Sequence, residues 1–312
     1  MSDRFKGLLL GLVASALWSS VFVAGRYATA GRGVDPILTA ALRFSSGAVV
    51  AVVLIAATGR WSRFVRAFSD LPALTGLAAI GIFGMGIFVF ISASLTTSIN
   101  GALILNANAI FIAVFAIFIG ERVPGIRFFG LILGLIGCGI VVMGSTAPQQ
   151  LPVISNVLGS LAALGGAIFW AAYTVGGKRY VRRYGGPEAA TVTLITGSLM
   201  LIPVALLRRP DLALAWPELL AIAWLGIFPT AVAMLMWYQA LETVDSSVLG
   251  PTQYIAPPLA TLLGWWLLGE PLTWTFVAGA VTIVFALWLA TRPLPSDAEC
   301  GVREAPRQSD LK

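Results

Sequence analysis

Long apolar runs separated by short polar breaks dominate the chain. Ten such runs are present, most of them 18 to 23 residues long. A helix needs about 20 apolar residues to cross the ~30 Å hydrocarbon core of a bilayer. The pattern therefore predicts an all-α polytopic membrane protein with ten transmembrane helices, near residues 7–25, 37–58, 71–92, 101–119, 128–145, 157–177, 189–207, 218–240, 247–268 and 274–291.

Two parts of this pattern are less regular. The shortest break is Thr96-Thr97-Ser98-Ile99-Asn100, so the third and fourth runs could instead form one re-entrant unit. Residues 292–312 combine Pro, Asp, Glu, Arg and Ser without periodicity, which is typical of a flexible tail.

The pattern is also duplicated. Gly120-Glu121-Arg122-Val123-Pro124 ends one apolar run, and Gly269-Glu270-Pro271-Leu272-Thr273 ends another 149 positions later. Trp18 and Trp170 lie in similar contexts at a spacing of 152. We therefore predict two homologous halves of five helices each, residues 7–145 and 157–291. Because five is odd, the second half is expected to be inverted in the membrane, and inverted halves that exchange shapes can open a central site to either side.

Composition and charge support a membrane protein and orient it. Hydrophobic residues make up 58% and charged residues 11% of the chain, against about a quarter charged in a soluble domain. If ten helices cross, 15 of the 20 Lys and Arg residues lie on the face that carries both termini and four on the other face. This bias predicts that both termini are cytoplasmic, and it explains the net charge of +6 without a nucleic-acid partner.

Several motifs resemble one known family. The run Ala41-Leu42-Arg43-Phe44 in the second helix, the aligned tryptophans and the two Gly-Glu motifs are similar to the drug/metabolite transporter superfamily, EamA branch. The resemblance implies a ten-helix carrier of the bacterial inner membrane, usually an exporter of amino acids or other small metabolites. It also implies a cavity lined by the first, third and fourth helices of each half.

One short run extends this resemblance, and another departs from the pattern of the family. Ile168 to Tyr173 is similar to a run in the aromatic amino-acid exporters of the superfamily. Where a proline is common in the fourth helix, this chain has Asn106-Ala107-Asn108-Ala109, whereas the second half keeps Pro257-Pro258.

Asn106 and Asn108 are the first candidates for substrate binding, because each lies near the middle of the fourth predicted helix. An unpaired amide at that depth is costly. They either contact a substrate in the cavity or form interhelical hydrogen bonds, which contribute about 0.6–2 kcal/mol. Residues two apart on a helix point about 200° apart, so we do not expect both in one pocket.

Aromatic residues supply the other candidates. Trp18 lies on the first helix of one half, and Trp170 and Tyr173 lie on its counterpart; Tyr238, Gln253 and Tyr254 lie on the third and fourth helices of the second half. An aromatic pocket with a few amides suits a solute of amino-acid size. The alternative for these residues is helix packing. Trp237 and Trp274 are expected to belong to interfacial belts.

Arg43 is predicted to lie about six residues inside the second helix. It can extend to the surface and pair with Asp35, or it can attract a substrate carboxylate. Glu121 and Glu270 precede helix starts, where a carboxylate stabilises the positive end of a helix, so we predict structural roles for both.

Missing residue types also restrict the function. The chain has no His, and none of its 14 acidic residues is predicted near mid-membrane. We therefore expect no enzyme, cofactor or metal site, and a carrier without proton coupling. The predicted partners are a small-molecule substrate and the lipid bilayer, with the chain a monomer or weak homodimer. Neutral or aromatic amino acids are the expected solutes; a drug-efflux carrier and a non-transporting scaffold are the alternatives.

Overall fold

The structure is a computed structural model that describes residues 2–30, 34–96, 98–143, 153–208, 213–268 and 272–293. Within these ranges the chain forms ten membrane-length helical segments and no strand. Seven of the segments have the length and hydropathy of a membrane span by themselves. We number the segments helix 1 to helix 10.

Four of the ten segments are interrupted. The uninterrupted ones are helix 1 (Asp3–Ala30), helix 2 (Pro36–Ala57), helix 5 (Gly125–Met143), helix 6 (Val153–Tyr184), helix 7 (Gly186–Leu207) and helix 10 (Trp274–Thr291). The interrupted ones are helix 3 (Leu71–Ala78, Ala79–Gly84, Met85–Leu95), helix 4 (Ser98–Asn106, Asn108–Phe118), helix 8 (Trp216–Leu225, Gly226–Val232, Ala233–Ala240) and helix 9 (Ser246–Leu249, Gly250–Ile255, Ala256–Leu268).

The ten predicted helices are confirmed. The third and fourth are separate helices, because helix 3 ends at Leu95 and Thr96 is extended before helix 4 begins. Helix 6 runs to Tyr184, seven residues beyond its predicted end. The apolar pattern did not predict a short amphipathic helix, Trp61–Ala67, which buries Phe64 and leaves Arg63 and Arg66 exposed.

Helices from the two halves pack on one another with an approximate two-fold symmetry. Helix 2 packs on helix 7, and helix 5 on helix 10, which are its counterparts in the other half. Helix 1 contacts helices 8 and 9, and its counterpart, helix 6, contacts helices 3 and 4. Each first helix therefore lies between the third and fourth helices of the opposite half.

Loop contacts show that successive helices run in opposite directions. At the face that carries both chain ends, Arg4 Nη2 donates to Thr291 O at 3.0 Å and Arg183 Nη1 pairs with Asp70 Oδ2 at 2.8 Å. At the other face, Ser155 Oγ donates to Leu95 O at 2.9 Å. We call the first the terminal face and the second the opposite face. The second half starts from the opposite face, so the halves are inverted.

Small residues allow the closest of these contacts. A Cβ atom at Gly134 of helix 5 would overlap the ring of Tyr254, and one at Gly137 would lie 3.1 Å from Gly279 O of helix 10. Gly7 approaches Val244 equally closely. These glycines therefore serve helix packing within the chain.

The outer surface of the bundle is apolar. Helix 5 exposes Phe129, Ile132 and Ile136, and helix 10 exposes Val281 and Val284. Exposed apolar faces this large, on helices of membrane length, are suited to contact with lipid chains. The chain is thus a multi-pass membrane protein.

The interruptions recur at matching positions in the two halves. The third helices each contain a π-helical segment, Ala79–Gly84 and Gly226–Val232. The fourth helices change at corresponding points, helix 4 at Ala107 and helix 9 where the 3₁₀ segment Gly250–Ile255 ends. Wide or tight turns inside a helix are frequent at functional sites, and here they surround the centre of the bundle.

Candidate functional site

Five aromatic side chains from both halves meet inside the bundle. Trp18 of helix 1 and Trp170 of helix 6 contact each other edge to face, with ring centroids 5.2 Å apart. Trp237 of helix 8 lies 5.2 Å from Trp18 and 6.3 Å from Trp170. Tyr173 and Tyr238 continue the group, 5.2 Å apart. We call Trp18, Trp170, Tyr173, Trp237 and Tyr238 the aromatic cluster.

The π-helical turns hold this cluster in place. In helix 8, Pro229 O accepts a hydrogen bond from Trp18 Nε1 at 2.8 Å. In helix 3, Gly81 leaves room for the ring of Tyr173, which any Cβ atom at that position would overlap. The tyrosines are fixed by their hydroxyls: Tyr173 Oη bonds Thr193 Oγ1 at 2.7 Å, and Tyr238 Oη donates to Tyr173 O at 3.2 Å.

Two donors in the cluster lack a partner. Trp170 and Trp237 are buried, and the Nε1 atom of neither makes a hydrogen bond within the described part of the chain. An unsatisfied buried N–H costs about 1–3 kcal/mol. The cluster is therefore an apolar wall with two N–H groups able to bind an acceptor on a ligand.

An amide pair joins the fourth helices of the two halves. Asn108 Nδ2 donates to Gln253 Oε1 at 3.3 Å, which links helix 4 to its counterpart, helix 9. Ile112 and Leu249, each four residues from one of the amides, belong to the same core as Trp170. The remaining amide atoms, Asn108 Oδ1 and Gln253 Nε2, are buried and have no hydrogen bond among the described residues. The pair offers a ligand one acceptor and one donor.

An ion cluster lies between the aromatic cluster and the terminal face, and two of its three side chains are buried. Lys178 Nζ lies 2.6 Å from Glu121 Oε1 and 2.7 Å from Asp245 Oδ1. Glu121 also accepts the backbone N–H groups of Ser246 at 2.9 Å and Ser247 at 3.0 Å. Lys178 is five residues beyond Tyr173 on helix 6, about 7–8 Å along its axis. We call Glu121, Lys178 and Asp245 the ion triad.

Glu121 therefore stabilises a helix start, but that start belongs to helix 9 of the other half and not to helix 5, which follows Glu121 in the chain. Its carboxylate oxygens are bound by helix 6 and helix 9 at once. The counterpart Glu270 lies outside the described residues.

Arg43 does not pair with Asp35. Its Nε donates to Thr230 Oγ1 at 2.7 Å, which ties helix 2 to the π-helical turn of helix 8. Asp35 instead pairs with Arg208 at 2.8 Å and accepts the N–H groups of Ile37 and Leu38 at the start of helix 2. Burial raises the pKa of Asp35, but these three donors together hold it below its ordinary value of 3.8.

Two predicted site residues, Tyr254 and Asn106, belong neither to the aromatic cluster nor to the amide pair. Tyr254 is in a second core, where its hydroxyl donates to Leu131 O at 2.9 Å and helix 9 packs on helix 5. Asn106 and Asn108 lie on either side of the break at Ala107; Asn108 is buried, whereas Asn106 is partly exposed.

Sequence reasoning missed Trp237. It is fully buried in the aromatic cluster, so its expected place in an interfacial belt is wrong. Trp274 is 87% exposed at the start of helix 10, which fits the belt. Tyr238 was already a predicted site residue. Trp237 directly precedes it in the same turn of helix 8, so it could have been considered for the site as well.

Two inverted five-helix halves that pack on one another in a membrane are an architecture of secondary transporters. The EamA-like transporter family model matches residues 5–143 and 157–292, and the chain belongs to this family.

Known relatives agree with this class. The chain is 30% identical over 84% of its length to an aromatic amino acid exporter, YddG, of Ancylobacter novellus, of which it covers 88%. It is 26% identical to an uncharacterized transporter of Clostridium kluyveri, over 89% of this chain and 91% of that one. A solved crystal structure superimposes with a TM-score of 0.80 at 26% identity, covering 97% of this chain and all of the other.

Proposed function

We propose that this carrier moves neutral or aromatic amino acids, or solutes like them, out across the inner membrane by alternating access, with the terminal face cytoplasmic. The observation that carries the proposal is the aromatic cluster with its two unpaired indole N–H groups. Relatives named as aromatic amino acid exporters support the solute class. The excess of basic residues at the terminal face supports the orientation.

The cluster and the amide pair suit the parts of such a solute. The rings of Trp18, Trp170 and Trp237 match an aromatic or aliphatic side chain. Donors at Trp170 Nε1, Trp237 Nε1 and Gln253 Nε2 can bind a carboxylate, and Asn108 Oδ1 can accept from an ammonium group. A lipophilic cation would leave the three donors unpaired, so the site favours amino-acid export over cationic-drug efflux.

The ion triad supports alternating access. It joins helices 4, 6 and 9, which belong to both halves, on the side of the aromatic cluster that faces the terminal face. In the proposed cycle the triad forms when this face is closed and separates when the face opens.

The test is exchange of labelled tryptophan in proteoliposomes, followed by a panel of neutral amino acids and lipophilic cations. Trp170→Phe keeps an aromatic side chain, although a smaller one, and removes the N–H, so we expect KM to rise about tenfold or more with the fold intact. Asn108→Leu should act in the same direction. The matched control is Trp224→Phe, because Trp224 is partly exposed and its Nε1 donates to Ser20.

Tyr254→Phe and Asn106→Ala locate the boundary of the site. Tyr254→Phe removes a packing hydrogen bond and should lower thermal stability without changing KM. Asn106→Ala should have the smaller effect of the two asparagine substitutions. Exchange of lipophilic cations but not amino acids, or unchanged KM in Trp170→Phe and Asn108→Leu, would contradict the proposal.

A further inference from the structure

A crevice opens between helices 3, 4 and 6 close to the terminal face. Its volume is about 390 Å³, within the size range of small-molecule pockets. Six of its lining residues are apolar or glycine: Ala73, Leu77, Ile80, Ile119, Val175 and Gly176. It does not touch the aromatic cluster or the amide pair.

The crevice faces the lipid. Ile80 and Ile119 are 37% and 48% exposed, and the adjacent Phe118 is 82% exposed. Val175 and Gly176 lie more than two turns before the end of helix 6 at Tyr184, so this apolar part of the crevice lies deeper than Arg179 and Arg182. An acyl chain lying along helices 3 and 4 would cover these side chains.

Cations line the end of the crevice nearest the terminal face. Lys178, Arg179 and Arg182 are lining residues, and none of the described residues of the lining is acidic. Lys178 is neutralised by Glu121 and Asp245, so it contributes only its aliphatic stem. Arg179 is exposed; its guanidinium lies 4.4 Å from the ring centroid of Tyr180 and donates a hydrogen bond to the Tyr180 hydroxyl. Arg182 is exposed on the same helix.

An apolar trench that ends at two guanidinium groups complements one class of ligand. We propose that an anionic phospholipid binds here, with an acyl chain against Leu77, Ile80 and Ile119 and its phosphate at Arg179 and Arg182. Arginine binds phosphate oxygens through paired N–H groups, and basic pockets between membrane helices bind anionic headgroups. A neutral lipid would not use the charge, and a free anion would not cover the apolar wall. The proposal does not depend on the transported solute.

The test is lipid retention by the full-length protein in native mass spectrometry, with its melting temperature measured in parallel. The probes are dioleoyl phosphatidylglycerol, phosphatidylcholine with the same chains, and glycerol 3-phosphate. We expect selective retention of the phosphatidylglycerol, weakened about fivefold by Arg179→Gln or Arg182→Gln and about 25-fold by both. The matched control is Arg63→Gln, which removes an exposed charge from the same face outside the crevice.

A second variant tests the apolar part without changing charge. Ala73 is exposed on the crevice wall, so Ala73→Trp should fill the trench and reduce retention while both arginines remain. Equal retention of the two lipids, equal weakening by Arg63→Gln, or no loss with Ala73→Trp would overturn the proposal. Competition by glycerol 3-phosphate as strong as that by the lipid would also overturn it, because it would indicate a site for free anions.

Discussion

Breaking the ion triad should open the terminal face. Glu121 and Lys178 have side chains only 4% and 6% exposed, and Glu121 holds three hydrogen-bond donors from two helices. Removing one partner of a buried ion pair leaves an uncompensated charge and costs about 3–5 kcal/mol. We therefore expect Lys178→Met, which leaves the Glu121 carboxylate buried without a cation, to weaken closure of this face by about 3 kcal/mol or more. Glu121→Gln should have a smaller effect, because Lys178 keeps its contact with Asp245.

The closure can be measured through Ser247, whose side chain is buried beside Glu121 at the start of helix 9. In a Ser247→Cys, Cys300→Ser background the remaining native thiol, Cys138, is buried. Labelling by a bulky maleimide in nanodiscs, where both faces are accessible, then reports opening. A 3 kcal/mol change corresponds to labelling more than about a hundredfold faster.

Two comparisons make the experiment specific. Arg183→Met breaks the exposed pair with Asp70 on the same face, and such pairs contribute about 0–1 kcal/mol, so labelling should change less than about fivefold. The double variant Glu121→Gln with Lys178→Met should label more slowly than the two single effects predict, because it also removes the carboxylate that Lys178→Met alone leaves buried without a cation. Unchanged labelling in both single variants, or equal acceleration by Arg183→Met, would refute the triad as the element that holds this face closed.

Three further predictions test stability and coupling. Asp35→Asn should lower the melting temperature at pH 7, and its effect should shrink as the pH falls below 3.8, because a carboxylate with a lowered pKa stabilises the fold above its ordinary pKa and loses this contribution as the pH falls through the lower folded-state value. Gly134→Ala should destabilise by about 1–3 kcal/mol in chemical denaturation, since its Cβ would overlap Tyr254, whereas Gly76→Ala, with nothing within 4 Å, should not. A pH gradient alone should not drive solute accumulation in proteoliposomes; accumulation would show that a carboxylate in the chain couples to protons.

Much of the fold could be predicted because the bilayer leaves few choices. A run of about 20 apolar residues must form a helix to satisfy its backbone, so the helix count followed from the hydropathy pattern. Repeated motifs then revealed the inversion, since the five-helix period is odd. The short helix Trp61–Ala67 was missed because its polar side carries arginines and the apolar side is only one turn wide.

The candidate site was predictable only in part. Trp18, Trp170, Tyr173 and Tyr238 were expected as cavity walls, and the structure brings them together. Trp237 was assigned to the membrane interface because it lies near the end of its apolar run. The predicted end at residue 240 was right, but it could not show that the last turn of helix 8 is buried inside the bundle.

The break in helix 4 shows why local chemistry differs between halves that share one geometry. In helix 9 the change from 3₁₀ to α helix falls just before Pro257 and Pro258, which remove backbone donors. Helix 4 changes at the matching position, Ala107, without any proline. There the interruption separates Asn106 from Asn108, so that Asn108 turns inward to meet Gln253 across the two halves. Helix 4 is therefore interrupted although it has no proline. The position that holds Pro257 in helix 9 holds Asn108 in helix 4, so helix 4 has a side-chain hydrogen-bond donor at mid-membrane and helix 9 has none at that position.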